Sequence, residues 1–209
     1  EVWMHLYHIG GEGYSSEAFI DNYGAEIKHI HEFVIPWQES DGFPGHYIRE
    51  NKKYSEQIFE HCKDQLDGFD LVYAQGFTGW HFIIQKKKGK IKIPVLVNFH
   101  GFEMFQQAAN FKSRIEQLFF KRAVKFNIKH ADGVYSFGGH LDKILKDLGV
   151  PQDKIILQSN GITNNWLTTY ASNEIRNQKR TRTFVGRNER RKGIEELNAA
   201  LKELIKRED

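Results

Sequence analysis

The sequence predicts an α/β fold: a parallel β-sheet with helices on both of its faces. Two observations predict it. First, the apolar runs are continuous rather than alternating, as in 93–99 (IPVLVNF), which indicates strands buried on both faces. Second, such runs alternate along the chain with segments of helical periodicity, an order typical of parallel sheets joined by crossover helices.

Composition excludes several other classes of protein. Apolar residues make up 40% of the 209 residues and aromatic residues 13%, enough for a core, which argues against wholesale disorder. A formal charge of +3 is too small to argue for a nucleic-acid partner. Cys62 is the only cysteine in the sequence, so no internal disulfide can form and a cytoplasmic location is expected. No run approaches the roughly 18 apolar residues of a membrane-spanning helix.

The first third of the chain contains three predicted strands and two predicted helices. The first strand runs into the glycine loop Gly10–Gly13, after which Ser15 or Ser16 can cap a helix. Pro36 ends the second strand, and a glycine- and proline-containing loop follows it. The strands are predicted at 2–9, 26–35 and 71–74, the loop at 37–50 and the second helix at 52–66.

The same alternation continues through the middle of the chain. Helices are predicted at 79–86, 111–129 and 140–148, and strands at 93–99, 131–136 and 154–158. We expect the apolar face of helix 111–129 to consist of Phe111, Ile115, Leu118, Phe119, Ala123 and Phe126.

Periodicity then disappears, and this loss predicts the domain organisation. Residues 163–181 are polar and irregular and are predicted to be a linker. We therefore expect one complete domain at 1–162 and the first strand and helix of a second domain at 182–209.

A basic turn near the end of the chain predicts a phosphate site. Phe184 and Val185 resemble a short strand, Gly186 begins a turn that carries Arg187 and Lys192, and a helix follows. Cations at the start of a helix are unfavourable because the helix dipole is already positive there. An anion bound between them removes that cost, since backbone N–H groups and both side chains then point at it. The alternative is a solvated basic turn, because further arginines crowd the region.

The glycine loop allows three interpretations. Glycine lets backbone N–H groups approach a phosphate, so Gly10 and Gly11 are candidates for phosphate binding. The spacing of Gly11, Gly13 and Ser16, with Glu32 about 20 residues further on, also approximates a dinucleotide fingerprint that lacks its third glycine. Such a fingerprint would belong to a dinucleotide-dependent oxidoreductase. A purely structural tight turn is the third interpretation.

His100 is the strongest candidate for a catalytic side chain. It follows an apolar strand at its carboxyl end, where ligands gather in open α/β sheets. Glu103 lies close by in sequence, and Asn160 with Gly161 marks the exit to the linker, so these three residues are weaker candidates for ligand contact. No histidine spacing indicates a metal site, because a third ligand for His29 and His31 is missing.

Six motifs occur in one order along nearly the whole chain. They are the glycine loop 10–13, Asp70 to Ala74, Pro94 to Gly101 with Glu103, Ala131-Asp132, Lys154 to Ile162, and Gly186-Arg187 followed by Lys192-Gly193. In this succession the chain resembles the retaining glycosyltransferases of family 4 (group 1). The resemblance implies the amino-terminal, Rossmann-like domain of a two-domain GT-B fold, with only the start of the second domain.

The resemblance also implies a role for each candidate residue. Arg187 and Lys192 match the basic pair that binds the donor diphosphate, and Gly10 and Gly11 match the loop that approaches it from the first domain. His100 matches the histidine that faces the reacting sugar. A nucleotide diphosphate-sugar would be the co-substrate, with no metal or other cofactor, and a glycan or lipid-linked molecule the acceptor, as in polysaccharide biosynthesis.

Two departures from the family pattern bear on activity. The paired glutamates of the second domain do not occur in this sequence, so we expect the chain to be inactive by itself as a hexosyltransferase. Gly138 stands where the family serine is expected, with Ser136 two residues earlier. Two further alternatives stay open: a nucleotide-sugar epimerase of the same two-domain plan, and a non-catalytic nucleotide- or glycan-binding module.

Helix 111–129 is strongly basic. It carries one acidic residue, Glu116, against the cations Lys112, Arg114, Lys121, Arg122, Lys125 and Lys129. A solvated charged face is the ordinary explanation. A basic amphipathic face with aromatic residues also suits anionic lipid or an acidic glycan, so contact with the inner face of the membrane is a further expectation.

Overall fold

The computed structural model describes residues 3–10, 17, 29–39, 45–105, 108, 111–161, 184–186 and 192–208. By its contacts the chain divides into two units, one formed by Glu1–Gln107 with Ile115–Ser159 and the other by Ala108–Arg114 with Asn160–Asp209. The predicted domain limits at 162 and 182 stay a prediction. The helix predicted after the glycine loop and the linker 163–181 lie outside the described residues, except for Glu17.

All the described strands pair in parallel. β1 (Met4–His8) pairs with β2 (Ile30–Val34) in a two-stranded sheet. A second sheet has the order β3-β4-β5-β6 and is formed by Val72–Gln75, Val95–Asn98, Gly133–Ser136 and Ile155–Leu157. The strands therefore follow one another in space as they do in sequence, with helices between them. The predicted α/β, Rossmann-like class is confirmed.

Five helices accompany the strands in the described residues. They are α1 (His46–Cys62), α2 (Trp80–Lys87), α3 (Phe111–His130), α4 (His140–Asp147) and α5 (Ile194–Glu208). Short 3₁₀ turns lie at Lys63–Gly68, Glu103–Phe105 and Gln152–Lys154. The core contains side chains from α1, α2, α3 and the four-stranded sheet, among them Ile58, Ile83, Val95, Val97, Val124 and Val134.

Helix α1 begins earlier than predicted. The loop predicted over 37–50 is wrong at its last five residues, because the helix starts at His46. Gly45 has a φ of 80°, a left-handed conformation that a residue with a side chain seldom adopts, and its carbonyl accepts the N–H groups of Ile48 and Arg49. Gly45 therefore ends the loop. The other glycine and proline of this segment, Gly42 and Pro44, did not indicate that helix α1 starts at His46.

Helix α3 leaves most of its predicted apolar face exposed. Its fully buried residues are Ala123, Val124, Asn127 and Ile128. Of the predicted apolar face, Phe111, Ile115, Leu118 and Phe119 keep 42–76% of their surface exposed. Only Ala123 of that set is buried. Ala123, Val124 and Ile128 belong to the hydrophobic core of the first unit.

Candidate functional site

His100 lies beyond the carboxyl end of the four-stranded sheet. β4 ends at Asn98, two residues before it, and β5 ends directly before Phe137. Because β4 and β5 are parallel neighbours, their carboxyl ends lie side by side. The two rings stack there, with 5.7 Å between their centroids and 25° between their planes. The exposed imidazole is thus held by an aromatic side chain at the edge where ligands gather. Its catalytic role stays a prediction.

A chain of three hydrogen-bonded groups holds the start of the glycine loop. Gly10 has a φ of 78°, and its backbone N–H donates to His8 Nδ1 at 3.0 Å. Because Nδ1 accepts, the ring proton is on Nε2, which donates to Glu32 Oε1 at 2.6 Å. Both side chains are largely buried. This chain of hydrogen bonds fixes the backbone at the start of the loop. Gly11 and the rest of the loop lie outside the described residues.

The hydrogen bonds of His8 to Glu32 and Gly10 were not predicted from the sequence, although the positions of these residues give an indication of them. His8 comes two residues before Gly10, and Glu32 lies on the neighbouring strand, where it pairs with Leu6, two residues before His8. Our sequence analysis considered Glu32 only as the acidic residue of a dinucleotide fingerprint. In the structure its carboxylate bonds to His8. The glycines of that fingerprint lie outside the described residues.

A second polar cluster lies on strands β3, β4 and β5. Tyr73 Oη accepts hydrogen bonds from Asn98 Nδ2 at 2.7 Å and from Gln75 Nε2 at 2.8 Å. Tyr135 packs edge-on against Tyr73. Asn98 is buried, and within the described part of the chain its Oδ1 has no hydrogen-bond partner. Asn98, the last residue of β4, therefore places an unsatisfied hydrogen-bond acceptor two residues before His100. The sequence analysis did not single it out.

The departure at Gly138 has a structural reason. Gly138 and Gly139 have φ values of 85° and 59°, so a serine in place of Gly138 would be strained. Ser136 is buried, its hydroxyl donates to Asp142 Oδ1, and it accepts the Gly138 N–H at 3.1 Å. The Ser136 hydroxyl therefore holds the turn that leads into α4.

The Ala131-Asp132 motif is structural. Asp132 Oδ2 accepts hydrogen bonds from Lys86 Nζ at 2.5 Å and from the Val95 backbone N–H at 2.8 Å. Ala131 is buried, and its carbonyl accepts a hydrogen bond from Lys154 Nζ at 3.0 Å. The motif therefore ties the end of α2 to the start of β4. It lies at the amino-terminal ends of the strands, opposite the edge of His100.

The basic turn is only partly described. Arg187 lies outside the described residues, and Lys192 is exposed two residues before α5. The first turn of α5 contains Glu195 and Glu196, the charges that a helix dipole favours at that end. The sequence analysis did not weigh these two carboxylates against the cations. Phosphate binding by Arg187 and Lys192 stays a prediction.

The three weaker candidates are placed only by their backbone. Glu103 begins the 3₁₀ turn Glu103–Phe105, three residues after His100, and its side chain lies outside the described part of the structure. Asn160 and Gly161 are exposed and come shortly after β6, in the part of the chain assigned to the second unit. Ligand contact by any of the three stays a prediction.

No group of three or more His, Cys, Asp or Glu side chains in the described ranges is arranged to hold a metal ion. None of the described helices has the length and apolar character needed to cross a bilayer.

Comparison with known proteins supplies the family. The family model described as Glycosyltransferase Family 4 matches residues 8–165. No curated protein matches the chain. Among solved structures, that of Anabaena Alr3699/HepE in complex with UDP and glucose is similar, with 15% sequence identity and a TM-score of 0.45. The match covers 80% of this chain and 39% of that one, so the chain spans about two fifths of its length. Because the family model covers more than half of the chain, the protein belongs to glycosyltransferase family 4.

Proposed function

We propose that this chain is the acceptor-side part of a retaining glycosyltransferase. The reaction would transfer a hexose from a nucleotide diphosphate-sugar to a glycan or lipid-linked acceptor, without a metal, in the cytoplasm. The observation that carries the proposal is the family match over residues 8–165, which includes the start of the glycine loop, His100 and Asn160. The proposed division is an acceptor-side domain at 1–162, a linker at 163–181, and the start of a donor-binding domain at 182–209.

His100 is proposed to face the reacting sugar. Its position beyond β4 supports this role, since ligands of open parallel sheets lie outside the carboxyl ends of the strands. Its stacking on Phe137 limits the orientations of the ring without using either nitrogen. A ring N–H is therefore available to donate to a sugar hydroxyl or to charge that develops as the glycosidic bond breaks.

The glycine loop is proposed to approach the donor diphosphate. The Gly10 N–H already donates to His8, so Gly10 would supply the bend rather than a hydrogen bond to phosphate. The phosphate donors would then be the backbone N–H groups that follow, beginning with Gly11. Within this proposal, Glu32 and His8 are positioning residues that keep the bend in place.

Arg187 and Lys192 are also proposed to bind the donor diphosphate. Their cationic groups would offset the negative charge that builds up on the leaving group. Removing either should cost about 2–4 kcal/mol of transition-state stabilisation, by analogy with other electrostatic donors. Glu103, Asn160 and Gly161 are proposed to contact the acceptor or the sugar. We expect the 209-residue chain alone not to turn over, because the family's paired glutamates do not occur in it.

The test is nucleotide diphosphate release by the whole protein from a panel of nucleotide diphosphate-sugars, with and without glycan and lipid-linked acceptors. The proposal expects release that depends on an acceptor, together with a new glycosidic bond. Conversion of the donor to an epimer would indicate the epimerase instead. Tight binding of a donor without any turnover would indicate a binding module.

A further inference from the structure

An apolar groove lies between α1, α2 and α3, all of it within the first unit. Its volume is about 680 Å³. The apolar side chains that line it are Ile48, Trp80, Ile84, Phe119, Ala123 and Phe126. Trp80 and Phe126 pack with 6.3 Å between their ring centroids. A groove of this size and lining can hold an apolar chain.

Four cations surround this apolar lining. They are Lys52 on α1, Lys87 and Lys88 at the end of α2, and Arg122 on α3. No carboxylate is among the described residues that line the groove, and none of these four cations forms a salt bridge in the described part of the chain. Lys87 Nζ lies 5.3 Å from the centre of the Phe126 ring and 2.9 Å from His130 Nε2. The rim is therefore positively charged without a neutralising partner from the groove itself.

Helix α3 extends the same combination from the groove residues Phe119 and Arg122 to the surface beside the groove. Ile115, Leu118 and Phe119 are 42%, 58% and 48% exposed and lie on one face of the helix. Arg122 and Lys125 continue that face over the next turns. Large apolar side chains exposed beside cations, rather than scattered singly, mark an interaction surface.

We propose that this face docks on an anionic membrane surface, with an acyl chain in the groove and lipid phosphates on the four rim cations. An acidic glycan would satisfy the cations, but its polar surface gives no reason for the apolar lining. A second copy of the chain meeting this face symmetrically would set the same unpaired cations against one another. An anionic lipid carries both complementary features, an apolar chain and a negative headgroup. The proposal does not depend on the glycosyl transfer reaction.

Vesicle co-sedimentation tests the electrostatic half of the proposal. The full chain should bind vesicles of phosphatidylcholine and phosphatidylglycerol in equal parts, and bind vesicles of phosphatidylcholine alone far more weakly. The double variant K88A/R122A should bind the anionic vesicles about 30-fold more weakly, because each cation near a charged surface contributes a several-fold gain. The control K143A/K146A removes two cations from α4, outside the groove, and should bind as the unaltered chain does.

Tryptophan quenching tests the apolar half. Phosphatidylglycerol with brominated acyl chains should quench fluorescence from the groove, and the Trp80→Phe variant should lose most of that quenching. Trp3→Phe, which changes an exposed tryptophan directly before β1, should keep it. Phe119→Ser should weaken binding to anionic vesicles while the far-ultraviolet circular dichroism stays unchanged.

Three results would overturn the proposal. One is equal binding to neutral and anionic vesicles by all variants. A second is binding to anionic vesicles that K88A/R122A and Phe119→Ser leave unaltered. The third is a dimer of the full chain that Phe119→Ser dissociates, because the face would then be covered by a second copy.

Discussion

His8 and Glu32 lie on neighbouring parallel strands and are joined by a hydrogen bond of 2.6 Å. The opposite ring nitrogen of His8 accepts the N–H of Gly10. The His8 imidazole therefore links the Glu32 carboxylate on β2 to the backbone of Gly10, where the glycine loop begins. Such a link fixes loop geometry without itself contacting a ligand, which makes His8 a positioning residue in the proposed donor site.

We predict that His8→Ala weakens both the fold and the donor site. It leaves the Gly10 N–H and the Glu32 carboxylate without this partner in a part-buried setting, which should lower the free energy of unfolding by about 2 kcal/mol. In the whole protein the KM for the donor should rise several-fold. Urea unfolding followed by fluorescence, and initial rates against donor concentration, measure the two effects.

The matched control is His46→Ala. His46 also bonds to a glutamate, Glu50, at 3.1 Å, but its side chain is 44% exposed within helix α1. Its partner Glu50 is itself buried, so the loss of His46 should also lower the free energy of unfolding, whereas the donor KM should stay unchanged. An equal rise of the donor KM in the two variants would show that His8 has no specific role in positioning the glycine loop.

Asp132 should be important for stability and unimportant for the reaction. Asp132→Ala leaves the Val95 N–H without its acceptor and Lys86 without its carboxylate, at a cost of about 2 kcal/mol in unfolding free energy. Lys63→Ala, taken from an exposed pair with Glu60, should leave the unfolding free energy unchanged within error. Chemical unfolding of both variants measures this difference in unfolding free energy. A lower kcat for Asp132→Ala at full folding would contradict the structural role.

His81 should make the fold sensitive to acid. Burial lowers the pKa of His81 below its usual 6.5, and the Gln85 amide N–H donates to its neutral Nε2. Because the folded pKa lies below the unfolded value, the unfolded chain binds more protons as the pH falls. The free energy of unfolding is therefore highest above about 6.5 and falls as the pH drops below it. His81→Gln should flatten this decline in urea titrations repeated across pH. If the free energy of unfolding of the variant declines with pH as steeply as before, groups other than His81 cause the decline.

The fold could be predicted from the sequence, but the side of a helix that faces the core could not always be predicted. Continuous apolar runs such as Val95–Asn98 place a strand well because only a buried strand needs both faces apolar. On α3, by contrast, apolar residues occur on more than one side of the helix. Periodicity alone could not tell the core side, with Val124 and Ile128, from the exposed side, with Leu118 and Phe119.

The candidate site was predictable in part. A position beyond a strand was enough to place His100 at the carboxyl edge, because parallel strands all end there. His8, Asn98 and the bond of Glu32 to His8 were missed because they depend on which strands are neighbours, and a local stretch of sequence does not reveal strand order. Gly138 could be explained only once its positive φ was known.

The most direct test of the account compares kcat of the whole protein with that of its His100→Ala and His46→Ala variants, using the best donor and acceptor found. Loss of an electrostatic donor at the reacting centre should lower kcat about 100-fold for His100→Ala. His46→Ala should leave it unchanged, and the product should keep the anomeric configuration of the donor. An unaltered kcat in His100→Ala, or a product of inverted configuration, would contradict the proposed role of the His100 edge in a retaining transfer.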